Sequence, residues 1–472
     1  MKTEYDVLVL GSGPVGMMFA KMMAEKGFSV AAADAAKKEE LGDTPKIFHA
    51  DVDKFLRYGL PEPRPGDPDY ADEFKEGLYR SPYDRHEKVS HCRNFLLRQP
   101  EFLARLRGIA EAAGAEFFYE TAFVDFLLDE NESIHGAKLR TTDGIRQVKA
   151  RLTVDATGKA AAARRKVRKG TADDWELTNR DLFYIYLHYV KLKNPEKDKP
   201  AAPIHYAQYK TWIGQSGEDD GCLFGAAANL SFEYAEKCLN AFKKNVPLPE
   251  YTLVRTETGA TPYRHPSYSM VADGFLAVGD SVCMTKPFSG EGITASWVGC
   301  EHAAAAAETA MANGAYPTEE ALWNYNVTYA RTQAADFAYI NAVLANAADT
   351  DADENEYMFA HDIVFNDAAL TQANVHYNYD VPFSEVIKLL GRLIVGVLTR
   401  HIAGKSLKLM LRGIIYATLA RAHYRKFPKK VAGFAKWKAK AEKIWSKTGT
   451  LCDILERTQF DEARATKSSL AV

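Results

Sequence analysis

The sequence predicts an α/β chain: a Rossmann-type dinucleotide-binding domain, interrupted by an antiparallel-sheet domain and followed by a helical C-terminal region. Three observations lead there. A glycine-rich turn lies between an apolar strand and a helix near residue 11, and a second strand–turn–helix begins at Phe275. The stretch between them alternates aromatic and polar residues at strand spacing, whereas the last third places its apolar residues at helical spacing. With 472 residues the chain exceeds one simple core. The expected boundaries are 1–165 and 265–311 for the two parts of the nucleotide domain, 166–264 for the inserted sheet and 312–472 for the helical region.

The opening stretch fixes the first part. Val7 to Leu10 form the apolar run of a buried parallel strand. Gly11-Ser12-Gly13-Pro14-Val15-Gly16 then places a G-x-G-x-x-G pattern before a helix. Gly11 permits the tight turn, Gly13 lets a pyrophosphate approach the backbone, and Gly16 lets the helix lie close to the strand. Pro14 suits the first helical turn, whose free N–H groups and partial positive charge face the phosphates. Gly27 ends the helix, Phe28 to Ala33 make the second strand, and Asp34 follows 21 residues after Gly13, where a carboxylate accepts from a ribose diol.

Farther along, a helix is expected over Asp51 to Leu60, a loop over Pro61 to Asp69 and an amphipathic helix over Phe95 to Gly114. Arg98, with Pro100 after it, lies where an arginine either reaches the pyrophosphate or sits at the surface. Lys46 is read first as a solvated lysine and second as a cofactor contact. Ala115 to Leu128 and Ile134 to Leu152 read as antiparallel strands, with turns at Asn131 and Asp143-Gly144. Leu152-Thr153-Val154 runs into Asp155-Ala156-Thr157-Gly158, an apolar strand stopping at small residues beside the nucleotide. From 166 to 263 a sheet is expected to wall one side of a substrate cavity. Tyr209 and Trp212 are candidates for lining it, although aromatic residues at this spacing more often fill a core.

The second strand–turn–helix selects the cofactor. Phe275 to Val278 end in Gly279-Asp280, followed by Pro287-Phe288-Ser289-Gly290-Glu291-Gly292-Ile293 and an alanine-rich helix from Thr294 to Met311. Asp280 can hold ribityl hydroxyls, Gly290 and Gly292 let backbone N–H groups approach an isoalloxazine, and the helix N-terminus brings positive charge to its pyrimidine edge. An NAD site has no use for this stretch, so the expected cofactor is FAD. No second nucleotide fingerprint is visible for an electron donor.

Composition excludes other classes. A net charge of −2 argues against general nucleic-acid binding. The six cysteines contain no C-x-x-C, which points away from zinc and dithiol chemistry and toward scattered thiols in a reducing cytoplasm. No leader precedes the first strand, and no apolar run reaches the roughly 18 residues of a spanning helix. Asp349 to Glu354 resembles a calcium loop but carries Glu354 and Ala360 where Gly and Glu belong, and His361 and His376 lack ligand spacing, so no metal site is expected. Between Lys388 and Trp445 there are 15 Lys or Arg and one acid, Glu442. Val386, Leu390, Leu393, Val397, Leu407, Leu411 and Ile414 recur at helical spacing there, with Phe427, Phe434 and Trp437 beyond. The segment is either a basic amphipathic, tryptophan-bearing element at an anionic lipid surface or a helical cap on the core.

These motifs together resemble the FAD-dependent geranylgeranyl reductase group, within the aromatic-hydroxylase-like flavoprotein superfamily that also holds flavin-dependent halogenases. The residues that carry the resemblance are Gly11 to Gly16, Asp34, Arg98 before its helix, Asp155 to Gly158, Gly279-Asp280 and the P-x-x-G-E-G-I run. It covers about residues 1–310. It implies non-covalent FAD, reduction of isolated C=C bonds in prenyl chains, and an FAD contact for Arg98. Two features depart from it. Pro45-Lys46 replaces the Cys-Gly of the archaeal reductases, and Tyr209 to Gly214 only faintly echoes their Tyr-x-Trp-x-Phe-Pro motif. The halogenase Trp-x-Trp-x-Ile-Pro motif is absent. The expectation is an FAD-dependent oxidoreductase acting on a hydrophobic, isoprenoid or prenyl-lipid substrate. NAD(P)H or ferredoxin would be the electron donor, and the enzyme would be cytoplasmic or peripheral at the inner membrane face. The alternatives are a flavin monooxygenase or halogenase-like enzyme on an aromatic or polyketide-like substrate, and an electron-transfer flavoprotein. No catalytic residue or proton donor is identifiable.

Overall fold

The computed structural model describes residues 1–41, 47–347, 350–363, 366–377 and 382–448. In chain order, β1 (Glu4–Leu10) turns into α1 (Pro14–Glu25) and returns as β2 (Val30–Ala33). β3 (Ile47–Asp51), α2 (Val52–Arg57), β4 (Tyr70–Arg80), β5 (Glu87–Arg98) and α3 (Gln99–Ala112) follow. Next come β6 (Ala115–Phe118), β7 (Ala122–Leu128), β8 (Ile134–Thr141) and β9 (Gly144–Asp155). The middle of the chain gives β10 (Leu182–Leu192), α4 (Pro195–Asp198), β11 (Ile204–Tyr206), β12 (Thr211–Gln215), β13 (Gly221–Ala228), α5 (Phe232–Asn245) and β14 (Tyr251–Pro262). β15 (Val271–Ala272), β16 (Phe275–Ala277) and α6 (Ile293–Ala310) complete the nucleotide-binding part. The helical region holds α7 (Glu319–Arg331), α8 (Gln333–Ala347), α9 (Ala352–Ala360), α10 (Asp367–Thr371), a π-turn over Gln372–His376, α11 (Phe383–Leu398), α12 (Gly404–Tyr424) and α13 (Phe434–Thr448).

Two eight-stranded sheets organise these elements. The first runs β15-β16-β9-β1-β2-β6, with the β7–β8 hairpin attached through β9. Val7 to Leu10 are buried on both faces, which is what the continuous apolar run requires of a central parallel strand. β9 serves three partners: its first half, Gly144 to Lys149, forms an antiparallel hairpin with β8, and its carboxyl half pairs in parallel with β1 on one side and with β16 on the other. Its carboxyl end is thereby delivered beside the glycine turn. The second sheet runs β14-β10-β13-β12-β11-β4-β5-β3 and so draws strands from residues 47–98 as well as 182–262.

Two local expectations change, and for one helix the structure selects between two open readings. Phe95 to Arg98 are the end of β5, not the start of the helix, which begins at Gln99. Phe95, Leu96 and Leu97 are all buried between β3 and β4, and a three-residue apolar run suits a buried strand as well as a helix. Residues 115–118 pair in parallel with β2 and extend the nucleotide-binding sheet, where an antiparallel strand was expected. The tryptophan-bearing helix of the basic segment is a cap on the core. Phe427, Phe434 and Trp437 are buried beside Trp323, and the Trp437 Nε1–H donates to the His423 carbonyl at 3.0 Å.

Asp351 caps α9, its carboxylate accepting from the Glu354 N–H at 2.9 Å, whereas Asp349 lies outside the described residues. His361 stacks on Tyr357, with ring centroids 3.9 Å apart, and His376 closes the π-turn. Cys92, Cys222, Cys238, Cys283 and Cys300 are buried free thiols, and Cys452 lies outside the described residues. Among the described residues no helix is long and apolar enough to cross a membrane.

Candidate active site

The glycine turn is held by close packing. Gly11 has φ +101°, and a Cβ there would overlap the Ala156 carbonyl at the end of β9. A Cβ on Gly16 would overlap the Gly11 carbonyl and meet Ala156 Cβ at 3.3 Å. By contrast, a Cβ built on Gly13 meets nothing within 4 Å, so space opens where the helix begins. Ser12 is fully buried, and its Oγ has no hydrogen-bond partner in the protein. A buried hydroxyl without a partner at a helix N-terminus fits a phosphate oxygen.

Asp34 closes the far side of the turn. One carboxylate oxygen accepts from the Ser12 N–H at 2.6 Å and the other from the Ala36 N–H at 2.9 Å. Asp155 does the same for the third loop. It accepts from the N–H and hydroxyl of Thr157 at 2.8 and 2.7 Å, and from the N–H groups of Ala163 and Arg164 at 3.0 and 2.6 Å. Burial pushes its carboxyl up while these donors pull it down, and burial prevails. Gly158, at φ +65°, leaves this loop with open space around it.

Arg164, which the sequence reading passed over, is fully buried. Its guanidinium donates to the carbonyls of Ser281 and Trp175, each at 2.8 Å, and to that of Asp173. It thus ties the loop after β9 to the turn after β16. Arg98 is engaged elsewhere: its terminal nitrogens donate to the carbonyl of Tyr70 and, at 3.1 Å, to that of Gly217 in the turn between β12 and β13. Lys46 lies outside the described residues.

The two distant glycine stretches meet. A Cβ on Gly279, at φ +74°, would come within 3.0 Å of Val15 Cγ1 in the first turn. The Trp297 Nε1–H of α6 donates to the Pro14 carbonyl at 3.1 Å. Asp280 accepts from the Thr285 hydroxyl at 3.0 Å, and a Cβ on Gly292 would lie 3.1 Å from its carboxylate. Asp280 keeps part of its surface open, yet desolvation by the surrounding protein raises its carboxyl above the usual range. Gly290 has φ +76° and lies beside Thr261 at the end of β14, at the seam between the sheets. Ile293 opens α6 and packs with Met17, Met18, Phe55 and Trp297. Tyr209 is buried in the core of the second sheet against Phe242, and the Trp212 ring lies against Gly225.

At that seam lies a buried polar cluster that the sequence reading missed. Lys286 is 1% exposed, pairs with Glu291 at 2.5 Å and donates to the Asn374 carbonyl at 3.1 Å. His49 Nδ1 lies 3.6 Å from the other Glu291 oxygen. Asp51 accepts from the Thr294 hydroxyl at 2.7 Å and from the Tyr377 hydroxyl. The Lys286 ammonium therefore pairs with Glu291 and acts on Asp51 at longer range. Burial raises Glu291, but Lys286 and His49 outweigh it and hold the carboxyl at about 2. Burial lifts Asp51 above its ordinary range, with Lys286 opposing and Glu291 adding to the rise. Asn374 also reaches Tyr79 and Ser90, at 3.2 and 2.8 Å. Lys286 stands one residue before the Pro287 motif and five before Glu291, and that spacing was the available signal. Asp51 precedes a helix and reads as a cap, but its side chain makes no capping bond.

This fold and these two converging turns define an FAD-dependent oxidoreductase. The buried Ser12 hydroxyl, the open Gly13 and the Asp280 carboxylate all fit that cofactor. Comparison with known proteins agrees. The FAD binding domain family matches residues 4–210. Digeranylgeranylglycerophospholipid reductase of Sulfolobus acidocaldarius is 23% identical over 343 residues, 69% of this chain and 74% of that one. The enzyme of the same name from Methanothrix thermoacetophila is 28% identical over 303 residues, 61% and 73% of the two chains. A geranylgeranyl bacteriochlorophyll reductase-like structure from Thermoplasma acidophilum superposes with a TM-score of 0.69 at 17% identity, over 84% of this chain and 99% of that one. A flavin-dependent brominase shares the fold with a TM-score of 0.57 at 19% identity, over 83% and 94%. The chain is thus an FAD-dependent oxidoreductase that is similar in sequence to digeranylgeranylglycerophospholipid reductases and shares its fold with geranylgeranyl reductase-like and halogenase structures.

Proposed function

We propose that this enzyme reduces isolated C=C bonds of a prenyl-lipid substrate. The observation that carries the flavin site is the contact of Gly279 with Val15, which sets the Asp280 turn against the phosphate turn. The prenyl-lipid substrate rests on the reductases just described. Gly11, Ser12, Gly13, Pro14 and Gly16 would cradle the pyrophosphate, Asp34 the ribose and Asp280 the ribityl chain. Gly158 would leave room for the cofactor, and Arg98 would exchange one of its carbonyl partners for a phosphate oxygen. Gly290, Gly292 and Ile293 would present backbone and helix N-terminus to the ring. Bound FAD, once reduced, supplies the hydride. In the seam cluster the buried Tyr377 hydroxyl donates to the buried Asp51 carboxylate. NAD(P)H or ferredoxin would supply electrons, and the enzyme would work against the inner face of a membrane.

The test is anaerobic photoreduction followed by a detergent-solubilised prenyl lipid. Reoxidation by the lipid, with a hydrogen mass gain in the product, is expected. Reoxidation by air alone would replace this reading with monooxygenase or halogenase-like chemistry, the second reading supported by the shared brominase fold.

A further inference from the structure

Helix α11 is apolar on the wrong side. Ser384, Ile387, Lys388, Gly391, Ile394, Val395 and Leu398 are exposed at successive three- and four-residue steps, so they form one outward stripe. Ile394 is 52% exposed, Val395 52% and Leu398 77%. The expected apolar face is the inner one: Leu393 is buried, and Val386, Leu390 and Val397 are half-buried. Two opposite faces of one helix are therefore apolar, and only the inner one is covered. Along α12, Ile415 and Leu419 are exposed as well.

Two observations identify what covers the outer face. The first is charge. No Asp or Glu occurs between Val386 and Ala441; Lys388 is paired with Glu385 at 2.7 Å, and Arg400, Lys405 and Lys408 are exposed farther along α11 and α12. The second is a cavity of about 410 Å³ directly behind the helix, lined by Val386, Leu389, Leu393, Met410 and Ile414, with Asp362, Asp367, Glu385 and Arg392 also on its wall. That volume lies in the range of small-molecule sites, about 300–1,000 Å³. Gln372 of its wall lies two residues before Asn374, which holds Lys286 at the seam. A protein partner would account for the outer stripe but not for a largely apolar chamber behind the same helix. A bilayer accounts for both, because apolar side chains flanked by cations enter an anionic interface while a hydrocarbon chain can pass inward.

We propose that the outer face of α11 docks the enzyme on an anionic bilayer and that the cavity behind it receives a hydrocarbon chain from that bilayer. The proposal rests on the prenyl-lipid reading only for the identity of that chain. The FAD-loaded full chain would be floated with phosphatidylcholine vesicles with and without phosphatidylglycerol, beside a variant carrying Ile394→Asp and Leu398→Asp. Both residues are exposed and neither lines the cavity, so flavin absorbance and unfolding temperature serve as controls for folding. The expected result is flotation that depends on phosphatidylglycerol and falls at least about tenfold in the variant. No flotation, equal flotation with both vesicles, or an unchanged variant overturns the proposal. So does a dimer that the variant dissociates, which would assign the face to a second copy. Flotation appearing only in a chain ending at Thr448 would assign it to residues 449–472 and overturn the proposal too. Reoxidation by detergent-solubilised lipid separates the two readings. If it fails while flotation succeeds, the substrate reading falls and the docking stands.

Discussion

Lys286→Met tests the seam cluster. Lys286 is 1% exposed and is the ammonium that pairs with Glu291 at 2.5 Å and influences Asp51 at longer range. Removing one partner of a buried pair leaves an uncompensated charge and costs about 3–5 kcal/mol. The variant also reverses a pH dependence. In the native chain Glu291 is held at about 2, below its ordinary value, so its contribution is present above that ordinary value and disappears as pH falls through about 2. The displacement corresponds to about 3 kcal/mol. Without Lys286, burial dominates and the carboxyl moves above its ordinary value. Protonated Glu291 then favours the fold in acid, and stability falls as pH rises toward 7. The assay is the urea midpoint of both chains at pH 5 and pH 7.5. The variant should lose more at pH 7.5, and adding Glu291→Gln should restore at least about 1 kcal/mol. A loss under about 1 kcal/mol, or the same loss at both pH values, would refute the buried-ammonium argument.

Other outcomes follow from the same geometry. Gly11→Ala forces a Cβ onto the Ala156 carbonyl at φ +101°, so the protein should purify colourless or unfolded, as its absorbance near the flavin bands will show. Asp280→Asn removes a charged acceptor and should weaken FAD binding about tenfold to a hundredfold in a fluorescence titration. His205 stacks on Tyr79 with centroids 4.6 Å apart, and burial, aided by His49, lowers it to about 4. Its contribution is present above the ordinary imidazole value and is lost as pH falls toward 4, so His205→Gln should reduce acid destabilisation between pH 6.5 and 4 by about 1–3 kcal/mol. Arg164→Met strands three carbonyls and should lower the unfolding midpoint by more than about 2 kcal/mol of stability, with part of the loss appearing as weaker FAD retention.

The nucleotide half was legible because its signals are local. Gly11, Gly16 and Gly279 are read from spacing, and each proves to sit where a side chain would collide. The strand hidden in Phe95 to Leu97 was not legible, since three apolar residues carry no period and only the neighbours β3 and β4 decide between strand and helix. The seam cluster was illegible for a different reason. His49, Asp51, Lys286, Glu291, Asn374 and Tyr377 come from three separate stretches, and each alone has an ordinary reading as a surface charge, a polar surface residue or a core aromatic. Their meaning lies in their meeting around one buried ammonium, which sequence spacing does not encode. The tail was half legible: its helical period was plain, but a period does not say which face meets the core.

That last point bears on how the molecule works as a unit. The C-terminal helices do more than cover the nucleotide-binding sheet, because Asn374 and Tyr377 complete the polar cluster beside the Glu291 turn. Six residues beyond Tyr377, α11 begins with its unpartnered stripe. The π-turn over Gln372–His376 therefore links a surface that wants apolar surroundings to a buried network that must exclude water. Gln372 of that turn and Val386, Leu389 and Leu393 of α11 line the same cavity, so a shift of α11 reaches the turn. Binding at the stripe and order at the seam should then be coupled. Anionic vesicles should raise hydrogen-exchange protection at residues 372–377 in the native chain and leave it unchanged in the Ile394→Asp, Leu398→Asp variant. Equal protection with and without vesicles would separate the two and reduce α11 to an anchor.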